Sequence, residues 1–328
     1  MNRQDEELDR LFRAARPTDA TRDRPLGAAE IALRESIIRG TVRAPKRTAR
    51  PRLIWAGVTT AVATLAIAVL VTINVLTPNQ QAVALTPPPL EYSAAGSVAD
   101  VVRDAEAALS DSPGPAQESH VESVVWGWSV ESEQQRIESV PQEITFDWGV
   151  GKTATTTIVA AHSSWGDGDL PPGVKPSPYR PGEIIDEVVT PPEDFDAPAA
   201  LTSLTGDSRE AMLAALGAFG ATENSSSGEM LTAIDGLMQY WTLSNAQHAA
   251  LLELLIDAGD VKVLGATNDR LGRDVIGLQV SSMIPERTDT VFISRDTGRL
   301  VGAENELDEP RDGLPAGVIS YAMWDAQH

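Results

Sequence analysis

The chain has 328 residues, a formal net charge of −21 and no cysteine. The absence of cysteine excludes disulfides, an anchor on a lipidated cysteine and thiolate metal sites. The strongly negative charge argues against nucleic acid as a partner, because nucleic acids are bound by basic surfaces.

Residues 1–52 differ from the rest, because they carry a net charge of +5. The patterning predicts two short helices, Asp5–Ala15 and Ala28–Arg39. Their apolar stripes contain six partner-binding candidates: Leu8, Leu11, Phe12, Ile31, Ile37 and Ile38. So few apolar residues cannot form a core alone. Two interpretations stay open: a partly disordered basic tail beside a membrane, or two cytoplasmic helices that fold on a partner.

The next 24 residues, Leu53–Leu76, carry no formal charge. At about 1.5 Å per residue, a helix of this length crosses a hydrocarbon core of about 30 Å. We therefore predict one transmembrane helix. A cleaved signal peptide ending at Ala84 is the weaker alternative, because secretory signals have a much shorter N-terminal region and apolar core.

The charges beside the span predict its orientation. Five basic residues precede it, and no further Lys or Arg occurs until Arg103. Because positive flanks stay in the cytoplasm, the predicted location is the cell membrane, with a cytoplasmic N-terminus and an extracytoplasmic C-terminal part. Trp55 suits the inner interface. The predicted membrane-flanking residues are Arg43, Lys46, Arg47, Arg50, Arg52 and Trp55.

After the span, residues 77–96 are predicted to form a proline-rich spacer and residues 97–328 an extracytoplasmic domain. A helix is expected at Ser97–Leu109 and strands at His120–Val130, Ile144–Val150 and Lys152–Ala161. Residues Ser163–Pro198 are rich in proline and glycine, so we expect a long loop there.

Helices and then strands follow. The expected helices are Ser208–Phe219, Gly228–Tyr240 and Asn245–Ala258, and the expected strands are Val261–Thr267, Arg273–Ser281, Asp289–Ser294, Arg299–Glu306 and Val318–Trp324. A hairpin loop is expected at Asp296–Gly298. Strands, helices and strands again at hairpin spacing indicate an α+β fold with an antiparallel sheet and helices on one face.

Four tryptophans lie within forty residues, at Trp126, Trp128, Trp148 and Trp165. The first three follow strand alternation, which favours packing in the core of the sheet. The alternative is an apolar sheet face that binds a lipid, a lipidated protein or a peptide. These four residues are the ligand-binding candidates.

We find no pattern that predicts catalysis. The histidines have no short metal-ligand spacing, and the serines lie in no G-x-S-x-G elbow. The paired acidic residues are best interpreted as solvated loop charges. We therefore predict a protein that is not an enzyme and has no catalytic residues, metal or cofactor.

The motifs VKVLGATNDRLGRDVIGLQV (261–280), VFISRDTGRLVGAE (291–304) and AGVISYAMW (316–324), after a basic N-terminus and a single span, resemble a family of uncharacterised actinobacterial single-pass proteins. These proteins are often encoded beside extracytoplasmic-function sigma factors. Their outer domain is similar in layout to curved-sheet domains that bind lipoproteins or regulate anti-sigma factors. The resemblance implies a single-pass envelope protein that has an outer binding or sensing domain and acts as a sigma-factor regulator of the anti-sigma type. The alternative is a membrane-anchored module that binds a lipid, lipoprotein or peptide without signalling.

Overall fold

The computed structural model describes residues 85–111, 114–165, 170–195, 197–311 and 314–326. The two expected N-terminal helices, the expected transmembrane helix, and the predicted partner-binding and membrane-flanking residues all lie outside these ranges. Within these ranges, no helix is both long enough and apolar enough to cross a membrane.

One antiparallel sheet of nine strands dominates the described residues, in the order β4-β3-β2-β1-β9-β8-β7-β6-β5. The register shifts in four strand pairs, as β-bulges do where they bend a strand. The sheet and its helices confirm the predicted α+β class. The strands are β1 His120–Gly127, β2 Gln142–Asp147, β3 Ala154–Ala160, β4 Ile184–Thr190, β5 Lys262–Asn268, β6 Asp274–Val280, β7 Arg287–Ser294, β8 Leu300–Leu307 and β9 Gly317–Trp324.

Six α-helices accompany the sheet in the described ranges. They are α1 Val98–Asp111, α2 Val130–Gln135, α3 Ala199–Thr202, α4 Arg209–Leu216, α5 Ser227–Met238 and α6 Asn245–Asp257. Reciprocal capping boxes begin α5 and α6, because Ser226 and Ser244 each exchange hydrogen bonds with the residue three positions later. A short 3-10 helix, Gly217–Phe219, follows α4.

The two faces of the sheet have separate apolar cores. Helices α1 and α3 to α6 pack on one face, where Leu278, Val291 and Trp324 are among the sheet residues that they cover. The opposite face has its own cluster, which includes Trp126, Phe292 and other apolar residues of β1, β6, β8 and β9. The helices that pack on the sheet therefore occupy one face, as the sequence indicates.

Two predicted strand ends and one predicted loop are wrong. Strand β1 ends at Gly127, because Ser129 caps the unexpected helix α2. Strand β2 ends at Asp147, so Trp148 follows the strand instead of lying within it. The expected loop at 163–198 contains β4, an edge strand whose residues are mostly exposed. A strand exposed on both faces shows no apolar alternation, which explains why the pattern missed it.

Candidate functional site

A cavity of about 400 Å³ lies between helix α1 and strands β5, β6 and β7. Helix α1 lines one side of the cavity, and the helix-covered face of the sheet lines the other. Residues 93–96 form a third wall. Asp100, Asp104 and Arg295 add charges of both signs. The apolar lining residues are Val101, Ala105, Ala266, Ile276 and Ile293.

Helix α1 begins at the cavity through a local hydrogen-bond exchange. The Asp100 carboxylate accepts from the backbone N–H and the hydroxyl of Ser97, while the Ser97 hydroxyl accepts from the Asp100 N–H at 3.3 Å. The hydrogen bonds from Ser97 and the neighbouring Arg103 lower the pKa of Asp100. This carboxyl is therefore ionised at neutral pH beside the cavity.

The other charges at the cavity have partners but stay accessible. Arg295 pairs with Asp274 at 2.8 Å, and Arg103 pairs with Asp104 at 3.0 Å. Exposed pairs of this kind contribute little free energy, so a ligand can replace either partner at small cost. The cavity is lined by polar and apolar surface in about equal amounts, so it offers contacts to both parts of a small amphipathic molecule. The arrangement fits an amphipathic ligand with an apolar body and a polar end.

The third wall continues into a segment that lies across the sheet, which we call the strap (residues 85–93). Thr86 approaches Gly317 at the start of β9, and Leu90 and Tyr92 pack on the face opposite the helices. At the edge of the sheet, Ser93 and Ala266 of β5 exchange two backbone hydrogen bonds of 2.8 and 2.9 Å. The chain then turns around this edge into α1. The second half of the predicted spacer is thus part of the folded domain.

A buried ion pair holds the middle of the strap. Arg270 donates to both carboxylate oxygens of Glu304, at 2.7 and 3.0 Å, and to the carbonyl oxygen of Pro88 at 2.8 Å. Its guanidinium also lies 5.6 Å from the ring centre of Tyr321. Burial raises the pKa of Glu304 and that of Tyr321, the latter to about 12, while Arg270 opposes both shifts.

The structure separates the four predicted tryptophans. Trp126 and Trp128 share the cluster opposite the helices, where Trp126 stacks on Tyr321 with 5.9 Å between ring centres. Trp148 belongs to another aromatic group, and its ring centre lies 4.8 Å from that of Trp241. These three are buried, and Trp165 is half-buried beside Ser163. In the described ranges, the tryptophans therefore do not form one open binding face.

The sequence contains two signals for the strap that strand alternation alone does not detect. Gly265 and Gly277 interrupt strands β5 and β6, and an isolated glycine in a strand marks a bulge or a close approach of another chain segment. Gly265 has a φ of +141°, and a Cβ there would lie 2.0 Å from the Ser93 carbonyl oxygen. The cavity residues themselves have no recognisable motif.

His120 and His248 each contact carboxylates rather than other histidines. His120 contacts Asp147 at 2.7 Å and Glu122 at 3.1 Å, and His248 is fully buried 3.6 Å from Asp325. In the part of the chain that the structure describes, no three potential ligands of the His, Cys, Asp or Glu type form a group able to hold a metal ion.

Comparison with known proteins gives one weak structural likeness. No protein-family model and no curated protein matches the chain. A solved structure of a DUF1329 family protein from Desulfovibrio piger matches 70% of this chain and 91% of that one at 12% identity. Its TM-score of 0.23 is too low to carry an argument about fold or function.

Proposed function

We propose that the chain is a single-pass envelope protein whose outer domain senses an amphipathic ligand and whose N-terminal segment regulates a cytoplasmic sigma factor. One observation carries the sensing role. Residues 93–96 form a wall of the cavity and directly continue the strap, which leads along the chain to the predicted transmembrane helix. A ligand in the cavity therefore contacts the segment that connects the domain to the membrane.

The proposed coupling follows from this continuity. A ligand that displaces residues 93–96 weakens the hydrogen bonds between Ser93 and Ala266 at the edge of β5. It thereby shifts the strap between a docked and a released arrangement. A ligand shifts such an equilibrium only by its difference in affinity for the two arrangements. The residues that form both the cavity wall and the start of the strap supply that difference.

Native mass spectrometry of the full-length protein in nanodiscs tests the ligand site. We expect a co-purified amphipathic molecule on the wild type, and its loss from Asp104→Trp, which places a large ring at the cavity. Glu106→Trp is the matched control, because Glu106 is also an exposed acid on α1 but does not line the cavity. A bound molecule that is retained equally by both variants contradicts the site.

Alkaline phosphatase fusions test the topology. We expect activity from a fusion after residue 90 and none from a fusion after residue 45, because the basic flank predicts a cytoplasmic N-terminus. Activity only from the fusion after residue 45 would reverse the orientation.

A second candidate is a membrane-anchored binding module without signalling. The burial of the Arg270–Glu304 pair beneath the strap favours it, since a firmly held strap transmits nothing. A transcriptional reporter for the cognate sigma factor separates the two functions. Deletion of residues 1–45 changes reporter activity if the protein is a regulator, and leaves it unchanged if the N-terminal segment only anchors the domain.

A further inference from the structure

The two edges of the nine-stranded sheet differ in their protection. Strand β5 forms one edge, and the strap residue Ser93 covers it at one position through backbone hydrogen bonds with Ala266. Strand β4 forms the other edge. Native proteins usually cover or disrupt a sheet edge, because its free backbone groups can pair with another chain.

The hydrogen-bond pattern shows which groups of β4 face outward. Ala161 donates to Pro141 beside β2, while Ala160 donates to Glu183 on the other side. Odd-numbered residues of β3 therefore bond toward β2 and even-numbered residues toward β4. Thr157 and Thr155 face Glu187 and Val189 in the register, so these two β4 residues direct their backbone groups away from the sheet.

The outward N–H of Glu187 has a local partner. It donates to the Asp186 carboxylate at 2.9 Å and not to a residue of β3. In the described ranges, no other chain segment pairs with the outer edge of β4. The side chains of this strand are also accessible, with Ile184 59%, Val188 40% and Val189 58% exposed.

The charge of β4 restricts what can pair with it. Glu183, Asp186 and Glu187 are exposed, and none of them takes part in a salt bridge within the described ranges. Antiparallel pairing of two copies about this strand would bring like charges together, which disfavours a dimer. Asp186 and Val188 lie on one face of β4 and Glu187 and Val189 on the other, so each face has one carboxylate and one valine. An extended segment in which two apolar residues are followed by two basic residues complements both when it pairs antiparallel to β4.

We propose that the outer edge of β4 binds an extended basic peptide by adding it as a tenth strand. The backbone groups of Glu187 and Val189 form the new hydrogen bonds, and the Asp186 carboxylate releases the Glu187 N–H to the incoming strand. The acidic side chains select basic residues in the peptide, and Ile184 and the valines contact its apolar residues. This mode of recognition combines affinity from the main chain with selectivity from alternate side chains.

Fluorescence anisotropy tests the site with the full-length protein in zwitterionic nanodiscs. The probe is a labelled nine-residue peptide in which pairs of valines and lysines alternate, KVVKKVVKK. The comparison peptides are KVKVKVKVK, which has the same composition but places all its lysines on one face of a strand, and EVVEEVVEE. We expect the paired basic peptide to bind at least tenfold more tightly than either comparison peptide, and its affinity to fall with salt.

Variants of β4 distinguish strand addition from attraction between charges. Val189→Pro removes one outward N–H without removing a bond to β3, so the fold is retained and peptide affinity falls at least tenfold. Val189→Thr keeps this N–H and binds within threefold of the wild type. Circular dichroism confirms that both variants are folded.

Three outcomes overturn the proposal. The first is equal binding of the paired peptide KVVKKVVKK and the alternating peptide KVKVKVKVK, which indicates attraction by charge alone. The second is unchanged binding by folded Val189→Pro. The third is a wild-type dimer in light scattering that Val189→Pro dissociates, since the edge then pairs with a second copy.

Discussion

The ring of Tyr92 lies over Gly277 so closely that a Cβ at position 277 would be 2.6 Å from Tyr92 Cε1. Tyr92 belongs to the strap and Gly277 to strand β6. This contact therefore joins the segment that follows the predicted span to the sheet. Glycine is required here because of the close approach, since its φ lies outside the left-handed region. The burial of Tyr92 raises its pKa and keeps the phenol neutral.

Gly277→Ala is expected to displace Tyr92 and loosen the strap. The added methyl group overpacks the contact, which costs about 1–3 kcal/mol of unfolding free energy. Limited proteolysis should then cleave within residues 85–92 faster than in the wild type. Gly217→Ala is the control, because nothing lies within 4 Å of a Cβ there and its φ is −58°. Equal protease sensitivity of both variants would exclude a Tyr92–Gly277 restraint.

Arg270→Met is expected to destabilise the protein by about 3–5 kcal/mol, because it leaves the buried Glu304 carboxylate unpaired. Adding Glu304→Leu should recover most of this loss, since an apolar pair no longer has a buried charge to solvate. Urea denaturation of the two single variants and the double variant measures the coupling.

A matched control for this cycle is the exposed pair Arg295–Asp274. Arg295→Met should change the unfolding free energy by less than about 1 kcal/mol, because solvent screens the pair. If the double variant at 270 and 304 is as unstable as the sum of its single variants, the two side chains do not act as a pair.

Asp235 is expected to lower stability at neutral pH. Burial raises its pKa from 3.8 to about 6, while hydrogen bonds from Trp324 and Gln239 oppose the shift. Between these two values the folded state binds more protons than the unfolded state, so stability falls as pH rises through this range. The full loss, up to about 3 kcal/mol, is present above pH 6.

Asp235→Asn removes this titration and keeps an oxygen acceptor for the indole N–H of Trp324, which donates to Asp235 at 3.1 Å. We expect the variant to be more stable than the wild type at pH 7.5 and similar to it at pH 4. Asp235→Leu should be less stable than Asp235→Asn, because the indole N–H loses its acceptor. A wild-type and Asn variant that differ equally at both pH values would contradict the raised pKa.

For the N-terminal segment, we expect a peptide of residues 1–52 to be largely unstructured alone and to gain helix with the proposed partner, a sigma factor. Burial of each large apolar side chain contributes about 1.5–3 kcal/mol before ordering costs. Leu11→Asp combined with Phe12→Asp should abolish binding in calorimetry without changing membrane insertion. Unchanged binding by the double variant would show that this apolar stripe is not the interface.

Sequence patterns predicted most of the fold, because its central elements have one buried face. Ile276, Leu278 and Val280 alternate along β6 and lie on the helix-covered side, as expected. The hairpin at Asp296–Gly298 is also confirmed, since Gly298 has a φ of +73° and its N–H donates to Ser294. Both features leave a signal in a short stretch of sequence, apolar alternation in β6 and a glycine at a positive φ in the hairpin.

The candidate site was not predictable in the same way. The cavity joins the segment 93–96 to residues almost 200 positions later, such as Ile293, and no short motif records that distance. The tryptophan cluster was the strongest compositional signal, but Trp148 packs on Trp241, which lies against the helix-covered core, whereas Trp126 belongs to the cluster on the opposite face. Pairing between distant elements therefore decided the site, and residue type alone did not.

Hydrogen exchange of the strap tests most directly whether the cavity is coupled to the segment that leads toward the predicted transmembrane helix. It compares amides of residues 85–93 in full-length wild type, Asp104→Trp and Glu106→Trp. We predict faster exchange of these amides in Asp104→Trp only, because its ring occupies the cavity and displaces residues 93–96 from across the site. Unchanged exchange in Asp104→Trp, or equal acceleration in both variants, would contradict a strap that responds to occupancy of the cavity.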